Sequence, residues 1–475
     1  MGWELTAVEK PFVEQLMTMG WRYVEGDLDS PARTGRANFT EVIQEDTLRR
    51  QLHALNLDVT GKPWLDDERV SQAVGAITRI PAHRLMEANQ AATELLLGGL
   101  TVEGLPGWDG GRGQTIHFID WAHPARNEFT VVNQFRVDCP PGYNRGKAFI
   151  VPDLVLLVNG IPLVVVECKS PSVPEPLSEA VDQLRRYTNQ RRASGEVDDN
   201  EGNEPLFHTN QLLIATSFDE ARVGSVGAAF HHYGTWKTVI GADGQGTESE
   251  AAAALGKSKL SEQERLVGGL LRPAQLLDVV RHFILFITVE GQTIKAICRY
   301  QQYRAVNRAI HRLRNGKTRR QDGEHDRRGG IVWHTQGSGK SLTMVFLMRK
   351  LRTDALLRRF KVVVVTDRHD LERQLSETAT LTGQNVLRAT STNDLKRLLR
   401  RDGPDIVFGM IQKQRNGDAA GEPGLTIDDL PKAEVREPAA LAVLNNDEAI
   451  LVLVDEAHRG QAGDLQALLM AGLPN

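Results

Sequence analysis

Three charges stand at the ends of an apolar hairpin. The stretch Pro152-Asp-Leu-Val-Leu-Leu-Val-Asn-Gly-Ile-Pro-Leu-Val-Val-Val-Glu-Cys-Lys169 sets Asp153, Glu167 and Lys169 among runs of Val and Leu, where an unpaired charge costs several kcal/mol. Two acids and a lysine on one face make a hydrolytic Mg²⁺ site. The carboxylates hold the ion, the ion stabilises charge on a scissile phosphate, and Lys169 orients or helps deprotonate the attacking water. Glu167 and Lys169 share a face because they lie two apart on a strand. Asp153 joins them only if the turn has the right parity. A two-residue turn at Asn159-Gly160 pairs Val158 with Ile161 and turns Glu167 away from Asp153. A three-residue loop, Val158-Asn159-Gly160 with a G1 bulge, sets Asp153 across from Val165 with Glu167 diagonal to it. The expectation is therefore a loop with an odd number of residues. The alternative is structural: an Asp opening one strand and a partly solvated Glu-Lys pair closing the next.

A second cluster lies downstream. Thr335-Gln-Gly-Ser-Gly-Lys-Ser341 follows Ile331-Val-Trp333, read as a strand, and opens a helical run over 342–351. Its glycines let the backbone N–H groups of Gln336, Gly337, Ser338 and Gly339 turn toward phosphate oxygens. Lys340 adds positive charge, and the Ser341 hydroxyl suits Mg²⁺. His334 stands where the strict phosphate-loop pattern has its first glycine. Further on, Leu451-Val-Leu-Val-Asp-Glu-Ala-His-Arg459 is an apolar strand ending in two acids. Asp455 is placed to bind Mg²⁺ through water and Glu456 to polarise an attacking water. In this chain order the two stretches read as a nucleotide triphosphatase.

The elements that must position these residues follow from patterning. Leu5, Val8, Phe12, Leu16 and Met19 recur at helical spacing before Gly20, with Pro11 tolerable in a first turn. Strand-like runs begin at Phe129-Thr-Val-Val-Asn-Gln-Phe-Arg-Val137 and continue through the hairpin, followed by a helix over 177–190 and a strand at Leu212-Leu-Ile-Ala-Thr216. The small, polar stretch from Gly241 to Ala254 is the best boundary. Beyond it, β-rich runs at Ile331, Lys361, Asp405 and Ile450 alternate with helical stretches, the pattern of a parallel sheet wrapped by helices. The reading is α/β, with a first domain over 1–240, a linker over 241–264 and a second domain over 265–475. The 475 residues carry a net charge of −4, with 41% apolar and 25% charged residues, a balance typical of globular domains. Basic density is local, between Arg299 and Arg328. Cys139, Cys168 and Cys298 show no metal-type spacing and no even framework, pointing to a reducing cytoplasm. No signal peptide and no apolar run of membrane-spanning length, about 18 residues, is present.

The downstream stretches resemble motifs I and II of superfamily 2 helicases and translocases. Val362-Val-Val-Val-Thr-Asp-Arg-His-Asp-Leu-Glu-Arg-Gln374 is similar to motif Ia, and Arg299-Tyr-Gln-Gln-Tyr-Arg-Ala-Val306 to the adenine-reading segment, which implies Gln302 as the reader. The resemblance covers residues 265–475 and implies the first RecA-like lobe. It stops before motif III, so the chain reads as an N-terminal piece that binds ATP-Mg²⁺ without coupling hydrolysis to movement on DNA. Upstream, Asp153 with Glu167-Cys-Lys169 resembles the PD-(D/E)xK nuclease core, in the form found in the restriction (motor) subunit of type I restriction-modification enzymes. That family's Gln-x-x-x-Tyr element matches Gln183-Leu-Arg-Arg-Tyr187, whose spacing places both side chains on one helical face. The resemblance also implies an acid from the first helix at the metal site: Glu9 first, Glu14 second. It implies Mg²⁺ and ATP as cofactors, double-stranded DNA as substrate, and methylation and specificity subunits as partners. Two other readings stay open: a repair-type nuclease-helicase without methylase partners, and a non-catalytic ATP-dependent DNA-binding module.

Overall fold

The computed structural model describes residues 4–105, 112–140, 148–189, 202–335, 338–366, 386–410, 443–455 and 472–473. Two compact units, Met1–Gln301 and Gln302–Asn475, divide the chain. Among the described residues no helix is long and apolar enough to cross a membrane.

The first unit is built on a six-stranded mixed sheet in which chain order and spatial order coincide: β1 (Arg22–Val24), β2 (Phe129–Asn133), β3 (Leu154–Val158), β4 (Ile161–Cys168), β5 (Leu212–Ser217) and β6 (Glu220–Gly224). β4 and β5 run parallel, and β2, β3 and β4 form an antiparallel meander. Every residue of β2, β3, β4 and β5 is buried, which is why these runs read as continuously apolar. Helix α1 (Lys10–Thr18) buries Phe12, Val13 and Leu16. α2 (Pro176–Tyr187) turns Leu177, Ala180, Val181 and Leu184 onto the sheet, into a core with Val155, Val165, Leu213 and Ala215.

Three local features differ from the sequence reading. Pro11 does not open its helix, because a π-helical turn, Leu5–Glu9, precedes it and Lys10 N–H donates to Leu5 C=O. The wider turn gives the proline ring room and does without the amide it lacks. The run from Phe129 breaks after Asn133, where Gln134 takes φ 45°. Residues 241–264, read as a linker, carry two helices with reciprocal caps, Glu248–Ala254 under Thr247 and Glu262–Leu270 under Ser261. The second of these packs on α1, with Gln15 Nε2 donating to Glu264 C=O at 2.9 Å, so the first unit continues to Gln301.

The second unit holds a four-stranded parallel sheet in the order β8-β9-β7-β10: β7 (Lys361–Thr366), β8 (Val386–Ala389), β9 (Ile406–Met410) and β10 (Ile450–Val454). Helix α3 (Tyr300–Asn315) buries Gln302, Tyr303, Val306 and Ile310. α4 (Lys340–Thr353) buries Val345, Phe346, Met348 and Leu351. The strand expected at Ile331-Val-Trp333 is not formed: these residues lie outside regular structure, with Ile331 97% and Trp333 90% exposed.

Candidate active site and nucleotide loop

The hairpin settles its own parity, by a different device from the one expected. The turn has two residues, Asn159 and Gly160, at φ 54° and 80°, and Val158 pairs with Ile161. Such a turn matches strand twist and calls for Asn-Gly. It is locked from outside: Asn159 Nδ2 donates to Phe118 C=O and to Asn127 Oδ1, both at 2.9 Å. Gln44 N–H donates to Gly160 C=O at 2.9 Å. The odd residue sits in the strand instead. Leu157 pairs with Pro162 but Leu156 with Val164, so Leu163 is the bulged residue. Pro162 has no N–H to give the ladder, which makes the register slip inexpensive at that point. From there Leu154 pairs with Val166, and one step further Asp153 comes opposite Glu167.

Both acids are buried, Glu167 at 1% exposure and Asp153 at 9%. Asp153 Oδ2 accepts Cys168 N–H at 2.7 Å, and its Oδ1 accepts Gln134 Nε2 at 3.4 Å. Lys169 Nζ donates to Glu167 Oε1 at 2.8 Å. Glu167 Oε2 is buried with no hydrogen-bond partner. Burial first, then the facing Asp153 charge, push the Glu167 carboxyl well above its ordinary range, against the pull of Lys169. Asp153 is also raised by burial, with the Cys168 amide and Lys169 opposing. Burial works against the Lys169 ammonium, but Glu167 and Asp153 outweigh it and hold Lys169 above its usual value.

Of the two candidate acids from the first helix, Glu9 faces inward and Glu14 lies exposed beside Lys10. Glu9 Oε1 accepts Asn133 Nδ2 at 2.9 Å. Burial lifts its carboxyl to about 7, with the Asn133 bond opposing and the Asp153 charge adding. Among the described residues no group of three or more His, Cys, Asp or Glu side chains is gathered at metal-holding spacing. The acids that oppose each other directly are therefore the pair Asp153 and Glu167. That pair fits a divalent ion on one observation: Glu167 Oε2 is buried beside Asp153 without a hydrogen-bond donor, a demand that a shared cation would meet. Two carboxylates suit Mg²⁺, which keeps several waters and substrate oxygens in its shell.

On α2, Gln183 Nε2 donates to the Tyr187 hydroxyl at 2.6 Å, and Tyr187 donates in turn to Val151 C=O at 3.2 Å, just before Asp153. Burial first and then the Glu167 charge raise the Tyr187 phenol. The sequence reading missed Asn133 and Gln134, which hold Glu9 and Asp153, and Glu4, whose carboxylate accepts Ser170 N–H at 3.0 Å. The adjacent amides interrupting an apolar strand were the available signal for the first two.

In the second unit, Lys340 is the first residue of α4, behind Gly339 at φ 81°. Ser341 follows in the first turn, half-buried. Ser338 Oγ donates to Thr335 C=O at 2.6 Å. Gln302, expected to read adenine, donates from Nε2 to Gly339 C=O at 2.9 Å. Asp455 lies at the end of β10; its N–H donates to Val365 C=O at 2.9 Å, and its Oδ2 accepts the Thr366 hydroxyl at 3.4 Å. Gln336, Gly337, Glu456 and the motif Ia residues from Asp367 onward lie outside the described residues.

Comparison with known proteins gives each unit a relative. Residues 301–475 match the family described as SWI2/SNF2 ATPase, and residues 4–232 match the type I restriction enzyme R protein N terminus. The chain thus joins an R-protein N-terminal region to an SNF2-type ATPase domain. It is homologous over nearly its whole length to the endonuclease subunits of type I restriction enzymes. The HindI endonuclease subunit of Haemophilus influenzae is 32% identical over 97% of this chain and 39% of its own. A Methanocaldococcus jannaschii protein assigned as the MjaIXP endonuclease subunit is 26% identical over 98% of this chain and 41% of its own. The SauCOLORF180P subunit of Staphylococcus aureus is 25% identical over 76% of this chain and 32% of its own. The chain spans about two fifths of the length of the first two relatives.

Proposed function

We propose that this chain is the nuclease-bearing and first motor part of a type I restriction subunit, cutting double-stranded DNA with Mg²⁺ in an enzyme that moves DNA with ATP. On this reading the first unit is a PD-(D/E)xK nuclease and the second a RecA-like lobe. The observation that carries it is the bulge at Leu163, which puts Asp153 opposite Glu167, whose Oε2 is buried without a hydrogen-bond partner. Asp153 and Glu167 would hold the ion, whose chemistry when bound is to stabilise charge on the phosphate under attack. Lys169, kept protonated by both acids, orients the water and is placed to take part in its proton transfer. Gln183 and Tyr187 form the α2 wall that positions the DNA strand. At the nucleotide loop, Ser338 to Ser341 would hold the phosphates of ATP, with Asp455 toward its Mg²⁺. Sequence choice and methylation then belong to partner subunits, as the resemblance to type I restriction-modification enzymes implies.

Supercoiled plasmid incubated with the chain and Mg²⁺ tests the nuclease half. The reading expects nicking that disappears in Asp153→Asn and in Lys169→Ala; nicking that persists undiminished in both removes these residues from the chemistry. For the ATPase half, Lys340→Ala should abolish nucleotide binding, and unchanged ATP affinity would refute the loop assignment.

A further inference from the structure

The catalytic face of the sheet extends beyond the carboxylates. Glu167 is in register with Ala215 on β5, and Ala215 with Arg222 on β6, so Asp153, Glu167, Ala215 and Arg222 form one row on one face. Lys169 N–H donates to Thr216 C=O at 2.9 Å, which carries the register on and places Ser217 beside Lys169. Gly224, two residues past Arg222, faces the same way, and the Tyr233 ring lies against it: a Cβ there would stand 2.6 Å from the ring. α2 covers this face, and the charge of its Arg185 bears on the Tyr233 phenol.

These side chains share one property. Nε and Nη2 of Arg185, Nε of Arg222, Oγ of Ser217 and the Tyr233 hydroxyl are all buried with no hydrogen-bond partner among the described residues. Arg185 is 7% exposed, Ser217 4% and Tyr233 3%. Every one of these groups can donate, and two carry positive charge, so the missing partner is an oxygen-rich anion. Leaving a buried guanidinium without an acceptor costs several kcal/mol. Arg222 is the outermost member, half-buried and stacked on Phe230 at 5.7 Å. Two strand spacings separate it from Glu167, about 10 Å.

We propose that Arg222 and Ser217, backed by Arg185 and Tyr233, bind a phosphodiester of the DNA strand that flanks the scissile phosphate. The proposal rests on the nuclease reading of the neighbouring carboxylates. A phosphodiester offers two unesterified oxygens to a donor set in which two guanidiniums match its charge, and Arg222 sets how far along the strand that contact falls. Fixing this second phosphate orients the first against Lys169.

The test is equilibrium binding of a fluorescein-labelled duplex to the 475-residue chain in EDTA across a series of KCl concentrations, so that no cleavage intervenes. Arg222→Gln should weaken binding about tenfold and lower the slope of log K against log salt by about 0.9, the loss of one phosphate contact. Arg222→Lys, which keeps the charge, should retain the slope. An unchanged slope in Arg222→Gln overturns the proposal. So does inorganic phosphate raising the melting temperature of the wild type but not of Arg222→Gln while the DNA slope stays the same, since the site then takes the free anion. Plasmid cleavage in Mg²⁺ separates the two readings. A wild type that cleaves with an unaltered slope in the variant loses the phosphate site alone, whereas a wild type that never cleaves but shows the slope change keeps the site and loses the nuclease.

Discussion

Replacing Glu167 by Gln should make the metal-free protein more stable. In EDTA at pH 8 the wild type holds the Glu167 carboxyl at 1% exposure, one oxygen on Lys169 at 2.8 Å and the other without a partner. The substitution removes one attraction, to Lys169, and one repulsion, from Asp153. The two act in opposite senses and largely offset, the Asp153 charge ahead of Lys169. What remains is the burial of the charge itself, the leading cause of the raised Glu167 carboxyl. An unsatisfied buried polar group costs about 1–3 kcal/mol, and each kcal/mol moves the melting temperature of a domain this size by about 2–4 °C. The pH dependence has a definite sign. A carboxyl raised in the folded state takes up more protons there than in the unfolded chain, so the wild type loses stability as pH rises from the ordinary 4.5 of a glutamate toward the folded pKa. The advantage of Glu167→Gln should therefore be small at pH 5 and large at pH 8, read by thermal unfolding of the first unit. A variant less stable than wild type at pH 8, or an advantage equal at both pH values, would refute the reasoning.

Two further outcomes follow from the geometry. Gly160→Ala should destabilise the first unit by about 2–4 kcal/mol, since it forces a side chain onto left-handed backbone and sets its Cβ 2.6 Å from Gln44 C=O; a denaturant midpoint within error of wild type would contradict this. Gln302→Ala removes the donor that holds Gly339 C=O and should weaken ATP and GTP binding alike, by about tenfold at most, if that bond is its main role; selective loss of ATP would mark it as the adenine reader.

Much of this was legible in the sequence, for identifiable reasons. The runs at Leu154, Ile161, Leu212 and Lys361 are buried on both faces and announce themselves as continuous Val and Leu. The helical face carrying Gln183 and Tyr187 followed from spacing alone, and their side chains do meet. The constraint on parity holds, but a different device meets it. The sequence reads as needing an extra residue in the Asn-Gly turn, whereas the slip lies at Leu163, next to a proline two residues past the turn, which is the available signal. Helix spacing likewise could not foresee the π-turn ahead of Pro11, because the turn is set by tertiary placement of Glu9 against Asn133. Ile331-Val-Trp333 shows the opposite failure: three residues of strong β character lie exposed outside any strand, since propensity alone does not form one.

The central claim is that Asp153 and Glu167 share one divalent ion. Mn²⁺ titrated into the nucleotide-free chain, with free ion counted by electron paramagnetic resonance, tests it most directly. The expected result is a site present in the wild type and lost in both Asp153→Asn and Glu167→Gln. Equal Mn²⁺ binding by all three proteins would contradict it.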